Sequence, residues 1–246
     1  MISIIIVTYN RKLLLKECLE GILVKETKEK AEIVVIDNYS CDGTENLIKD
    51  TFGNGVKLFR NRERISLMDS KIQGINLAAG EKIAFIDDDC LASKDWLNKI
   101  ENSLNDCDFV GGAVLPAANV KFPWWWRKSL DWLIGVNSNP NKKFLPLGSN
   151  MAFNKNVLHA LKENRKNISL RCDEFLPYLE DNYRIKEALA LGFSLKINQD
   201  MVVYHRIPAE RLRIGYLIKR CYREGRAMAN YEHRTGYLLF SFFSLP

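Results

Sequence analysis

Lys82-Ile83-Ala84-Phe85-Ile86-Asp87-Asp88-Asp89 runs a short apolar strand straight into three adjacent carboxylates. An apolar run of this length that stops at acids reads as an inner strand of a parallel sheet, with its carboxyl end open to solvent. The residues before it repeat the pattern. Ile2–Tyr9 is a β-branched strand, and residues 11–24 follow with helical spacing (Leu14, Cys18, Leu19, Ile22). Glu32–Asp37 is a second strand, ending in the polar loop Asn38–Gly43 and a short helix to Asp50. Val56–Phe59 is a third strand, and residues 66–79 form a helix capped by Gly80. This alternation requires right-handed crossovers and a mostly parallel sheet, whose ligands bind at the strands' carboxyl ends. Thr8, Asn10, Asp37 and Asp87–Asp89 are therefore expected to converge on one crevice.

Downstream the pattern changes. Residues 116–147 read as irregular, with Pro123-Trp124-Trp125-Trp126 and an Asn/Pro/Lys-rich stretch at 137–143. Phe144–Phe153 reads as strand and loop, 155–165 and 181–191 as helices, Phe193–Ile197 and Met201–Tyr204 as strands, and 208–233 as a long basic helix. With no flexible linker or repeat, the second half is expected to be a subdomain appended to the first.

Composition narrows the function classes. Of 246 residues, 47% are hydrophobic and 27% charged, which excludes a disordered or fibrous chain. The net charge of +6 is uneven. Residues 1–200 balance to +1 and residues 201–246 to +5, which fits a local anion site or a lipid-facing surface rather than a general nucleic-acid binder. Six scattered cysteines without CxxC spacing fit a reducing compartment and argue against structural zinc. The start lacks a basic n-region, and no stretch reaches the ~18 apolar residues of a membrane span, so a cytoplasmic protein is expected. Neither GxGxxG nor GxxxxGK[ST] occurs, which removes the dinucleotide-binding and P-loop readings.

The candidate site residues each have a bland alternative. Three adjacent aspartates at a strand end suit Mg²⁺ or Mn²⁺ shared with a substrate phosphate, or form a solvated acidic turn. Asp37 could accept from a base or ribose, or begin an Asx turn. Glu180-Asp181 opens a helix, where the dipole alone favours acids. His205 at a strand end is alone a structural histidine, but Arg206, Arg211, Arg213, Lys219, Arg220, Arg223 and Arg226 follow it. They form a solvated or lipid-facing basic surface, or a clamp on a diphosphate.

In order, Ser3–Arg11, Val34–Thr44, Ala78–Asp89 and Glu180-Asp181 resemble the signature of family-2 inverting glycosyltransferases of GT-A fold. The likeness is dense over 1–115 and thinner over 146–226. It implies a three-layer α/β/α domain with a mostly parallel sheet and a C-terminal acceptor-side helical subdomain. Residues 1–115 would be the nucleotide-sugar half, 116–236 the acceptor and catalytic-base half, and 237–246 an apolar tail. By this resemblance Thr8, Asn10, Asp37, Lys71, Asp87 and Asp88 bind the nucleotide-sugar, a UDP-sugar being favoured. Asp87 and Asp89 are the outer acids of a DxD motif and, with His205, hold the Mg²⁺ or Mn²⁺. Asp181 is the general base. Gly148, Ser149, Asn150 and Glu180 lie on the acceptor side, and Arg206, Arg220 and Arg223 clamp the diphosphate. Lys71, where many members carry Arg, and Asn182-Tyr183 depart from the family pattern.

The implied activity is sugar transfer to an acceptor hydroxyl in glycan or cell-surface polysaccharide assembly. Its rivals are a nucleotidyltransferase and a non-catalytic, membrane-docked assembly protein. The Trp124–Trp126 triplet, Arg127-Lys128 and the apolar tail suggest peripheral contact with the inner face of the plasma membrane, or an acceptor-side lid.

Overall fold

The computed structural model describes residues 1–23, 31–140, 147–164 and 180–235. Strand β1 (Ile2–Thr8), helix α1 (Lys12–Leu23), β2 (Ala31–Asp37), α2 (Thr44–Phe52), β3 (Lys57–Arg60), α3 (Leu67–Leu77) and β4 (Lys82–Ile86) follow the alternation read from the sequence. The four strands pair in parallel in the order β3-β2-β1-β4. Beyond them come β5 (Cys90–Ala92), α4 (Trp96–Ser103), β6 (Phe109–Pro116), β7 (Asn150–Asn154), α5 (Asn156–Asn164), α6 (Glu180–Ala190), β8 (Leu195–His205) and α7 (Ile214–Thr235).

One eight-stranded sheet holds them all, in the order β3-β2-β1-β4-β7-β6-β8-β5. β7 runs antiparallel to both neighbours, β6 and β8 are parallel, and β5 is antiparallel to β8. Chain from both sides of residue 115 therefore builds the same sheet, so the second half is interleaved rather than appended. Alternation along the strands divides the core. Ile2, Ile4, Ile6, Ala84 and Ile86 face α1, α2 and α4, whereas Ile5, Ile83 and Phe85 face the side covered by α3, α5 and α6. α3 lies especially close, since a Cβ on Gly74 would come within 2.5 Å of Ile5.

Three sequence expectations are corrected. Phe193–Ile197 and Met201–Tyr204 belong to a single strand. Its register against β6 jumps between Gly112 and Ala113, leaving Gln199–Met201 unpaired. The polar Asn198-Gln199-Asp200, a gap between strands by sequence, is a bulge. The basic helix starts at Ile214 instead of 208, because Ala209–Leu212 forms a 3-10 turn. The irregular segment holds a second such turn, Lys128–Ile134, under which Leu133, Ile134 and Val136 form a small core with Leu212 and Leu217.

Candidate active site

Register brings the carboxyl ends of β1, β2 and β4 to one level. Thr8 lies opposite Asp37 across the β1–β2 pair, and the β1–β4 register, continued past Ile5 and Phe85, sets Thr8 against Asp88. The Thr8 hydroxyl donates to Asp88 Oδ2 at 2.7 Å. From the other side, β5 pairs with β8 so that Cys90 faces His205, and the Arg206 N–H donates to the Asp89 carbonyl at 2.8 Å. His205 Nε2 thereby stands 3.3 Å from Asp89 Oδ1. Thr8, Asp88, Asp89 and His205 are all buried.

Two cations offset these acids. Arg11, just past β1, donates to Asp88 at 3.0 Å and to Asp89 at 2.9 Å. Arg211, from the 3-10 turn after β8, lies 3.7 Å from Asp89 and 3.3 Å from His205 Nε2. The same ring nitrogen thus meets an acceptor and a donor. One tautomer donates to Asp89, and the other accepts from Arg211 and carries the lone pair a metal ligand needs. Burial, which outweighs the opposing charge of Arg11, pushes Asp88 up to about 6. Burial acts the same way on Asp89, but its hydrogen bond to His205 and the charges of His205, Arg11 and Arg211 hold it below the usual value. Beneath the cluster, burial first and the carboxylates second raise the Cys18 and Cys90 thiols well above theirs. Both are core residues without nucleophilic character.

A second group of residues lines the end of β2. Asp37 is fully buried, and its Oδ1 accepts the Ser40 N–H at 2.8 Å as an Asx turn does. Its Oδ2 has no hydrogen-bond partner and lies 3.6 Å from Arg60 Nε, so the Asx turn uses one oxygen of the carboxylate and leaves the other available. Asn10 sits in the left-handed region (φ 51°), its Oδ1 accepting the Cys41 N–H at 2.7 Å. Asn is the side chain that tolerates this conformation best after Gly, and here it ties the loop after β1 to the loop after β2. The half-exposed Tyr9 ring, covered by Arg64 at 4.4 Å, is an aromatic surface beside this loop. Lys71 is buried on α3 with its ammonium 5.1 Å from the Phe85 ring.

Other expected site residues fall elsewhere. Asn150 is completely buried at the start of β7, where it accepts from Trp96 Nε1 at 2.9 Å and donates to the carbonyls of Ala113 and Met201, both at 2.7 Å. Its amide joins β7, β6 and β8, which leaves it no free group for an acceptor. Gly148 and the buried Ser149 form the turn that leads into it. Of the expected clamp, Arg206 pairs with Glu17, Arg220 pairs with Glu224 at 2.9 Å, and Arg223 stands exposed on α7. The cations against the carboxylates are Arg11 and Arg211. Arg11 closes the Ser3–Arg11 stretch already singled out, and only its contacts reveal its role. Glu180 and Asp181 open α6, but their side chains lie outside the described residues, as does the tail from 237.

Asp89 and His205 offer carboxylate oxygen and imidazole nitrogen, a set that suits Mn²⁺ and accommodates Mg²⁺. Among the described residues no three His, Cys, Asp or Glu side chains form a complete metal cage. Such a partial set fits an ion whose shell is completed by substrate phosphate and water.

Comparison with known proteins agrees with this geometry. The profile of glycosyl transferase family 2 matches residues 3–162. The glucosyl-dolichyl phosphate glucuronosyltransferase of Haloferax volcanii is 25% identical over 91% of this chain and 75% of its own length. The mannosyltransferase PcManGT from Pyrobaculum calidifontis, solved with GDP-mannose and Mn²⁺, superposes with a TM-score of 0.67 at 21% identity, over 94% of this chain and 64% of that one. Staphylococcus aureus TarS 1–349, solved with UDP-GlcNAc, gives 0.61 at 16% identity, over 95% of this chain and 67% of that one. The fold is that of the GT-A glycosyltransferases, and the chain belongs to glycosyl transferase family 2.

Proposed function

We propose that this transferase moves a glycosyl group from a nucleotide-diphosphate sugar, a UDP-sugar first of all, to a hydroxyl of a glycan or lipid-linked acceptor, with inversion, in glycan or cell-surface polysaccharide assembly. One observation carries the reading: Thr8 and Arg11 from one part of the chain and His205 and Arg211 from another converge on Asp88 and Asp89. The nucleotide sugars bound by PcManGT and TarS support the donor class, and the lipid phosphate in the Haloferax relative's name supports the acceptor class.

In this mechanism the nucleoside lies at the end of β2, where Asp37 Oδ2 has no hydrogen-bond partner and Asn10 shapes the loop. Asp89 and His205, with Asp87 adjacent, hold the Mg²⁺ or Mn²⁺, which when bound stabilises negative charge on the departing diphosphate. Asp88 is a positioning residue, its two oxygens held by Thr8 and Arg11. Arg11 and Arg211 supply further N–H donors toward the leaving group. Asp181, in the first turn of α6, accepts the acceptor hydroxyl's proton as that oxygen attacks opposite the leaving group.

The test is incubation of the full chain with UDP-sugars and GDP-mannose, with Mn²⁺ or EDTA, reading nucleoside diphosphate release and nucleotide binding by thermal shift. Release that needs the divalent ion is expected. Pyrophosphate release from a nucleoside triphosphate would favour a nucleotidyltransferase, and EDTA-insensitive donor binding with full activity in Asp89→Ala would remove the metal from the proposal.

A further inference from the structure

The first half of α7 sorts its side chains into three stripes. At 3.6 residues per turn, Ile214, Ile218 and Tyr222 share one line, and they are 59%, 63% and 65% exposed. Lys219, Arg223 and Arg226 lie beside this line and are exposed, as is Arg213 just before the helix. The opposite side is turned inward, burying Leu217 and Glu224, with Glu224 paired to Arg220 at 2.9 Å. Glu224 is the one acid between residues 213 and 226, so the outward surface carries apolar groups and cations alone. Arg226 lies over the Tyr222 ring at 5.7 Å, joining the two stripes.

The tryptophan triplet sits beside the same small core. Trp125 and Trp126 pack against the cluster that Leu217 completes, and Trp126 Nε1 donates to Asp131 at 2.8 Å, so neither is free to insert elsewhere. Trp124 projects at 92% exposure, followed by the exposed Arg127 and Lys128.

We propose that the outward face of α7, together with the exposed Trp124, docks the protein on a bilayer surface rich in anionic headgroups. Exposed isoleucines and a tyrosine flanked by Lys and Arg, with no outward acid, match the apolar-plus-basic pattern of a helix that lies in the headgroup region. The contact proposed is peripheral; among the described residues no helix is long and apolar enough to cross a membrane. The surface uses none of the residues of the Asp88–Asp89 cluster, so docking and catalysis can fail separately.

Flotation of the full chain with phosphatidylcholine vesicles, with and without phosphatidylglycerol, tests the idea. Binding is expected only with the anionic lipid and is expected to fall with added salt. At about 1 kcal/mol, or roughly fivefold, per cation, Lys219→Gln/Arg223→Gln/Arg226→Gln is expected to weaken partitioning about a hundredfold. Ile214→Ser/Ile218→Ser and Trp124→Ser are each expected to weaken it, while Lys49→Gln, on α2, leaves it unchanged. Circular dichroism checks that each variant is folded. Three results would overturn the proposal: an intact chain that stays soluble beside anionic vesicles at low salt, binding that the stripe variants retain, and a self-associated chain that the stripe variants dissociate and that never floats.

Discussion

Removing the Asn150 amide tests the reading of how the second half of the chain is built. The side chain is fully buried and makes three hydrogen bonds of 2.7–2.9 Å, one to an indole N–H and two to carbonyls on different strands. Asn150→Ala leaves all three partners buried without a replacement. Each orphaned group costs about 1–3 kcal/mol, so the loss is expected at about 3–9 kcal/mol, a large share of the ~5–15 kcal/mol that stabilises a typical domain. Asn150→Asp separates the partners: it keeps the acceptor for Trp96 but sets a carboxylate oxygen against two carbonyls. Its carboxyl is held protonated by that setting, so its stability is expected to be best at low pH and to be lost as pH rises. Equilibrium urea unfolding followed by tryptophan fluorescence measures both variants. An Asn150→Ala protein within 1 kcal/mol of the wild type would refute the account. So would a folded Asn150→Ala protein whose only defect is a raised acceptor KM.

Four further outcomes are expected. Gly112→Ala should unfold the same junction, because its Cβ would lie 1.9 Å from the Met201 carbonyl and 2.4 Å from the Asn150 amide; thermal unfolding reads the loss. In the metal-free protein, the gap between 3.8 and about 6 at Asp88 is worth about 3 kcal/mol. Because the folded carboxyl holds its proton more tightly than the unfolded one, that stability is present below pH 4 and lost as pH rises to 6, a slope that Asp88→Asn should abolish in urea titrations. Asp89→Ala and His205→Ala should each abolish the Mn²⁺-dependent thermal shift with a nucleoside diphosphate, and a shift retained by both would place the ion elsewhere. Asp181→Asn should lower turnover by about 10²–10⁴-fold with donor affinity within a few-fold; equal losses in both would make it a helix cap.

The half of the fold that local pattern dictates was legible. β1, β2 and β4 are apolar runs rich in Ile and Val, Val56, Leu58 and Phe59 mark the short β3, and the helices between them carry apolar residues at helical spacing, so periodicity suffices. β6 escapes that logic because Gly111-Gly112 interrupts its apolar run, although Gly112 is required where β8 bulges against it. Asn150 misleads in another way. The family resemblance alone puts Gly148-Ser149-Asn150 on the acceptor side, and only the fold reveals three buried partners for the Asn150 amide. The arginines differ in the same respect. Seven basic residues after His205 look interchangeable in sequence, yet the Arg211 side chain lies against the Asp89 carboxylate, while the side chains of Arg206 and Arg220 meet glutamates.

The meeting of Asp89 and His205, 116 positions apart, depends on a register that no local pattern encodes. β5 has three residues, too few to fix its own alignment. Its neighbours do that: Cys90 N–H bonds back to Asp87 at 3.0 Å, Ser93 N–H reaches the Val202 carbonyl at 2.9 Å, and Arg206 N–H reaches Asp89 at 2.8 Å. A one-residue slip would turn His205 to the other face of the sheet and bring Tyr204, now 40% exposed, toward the acids. The bulge at Gln199–Met201 sets this phase, since it advances β8 by three residues before the pairing with β5 begins. Gly112, Asn150 and the bulge therefore act on the site without touching it: they fix which side of the strand carries the imidazole. Shortening the bulge by deleting Gln199 is accordingly expected to leave a folded sheet with His205 displaced from Asp89. The Mn²⁺-dependent shift would be lost, while nucleotide contacts at the end of β2 would remain.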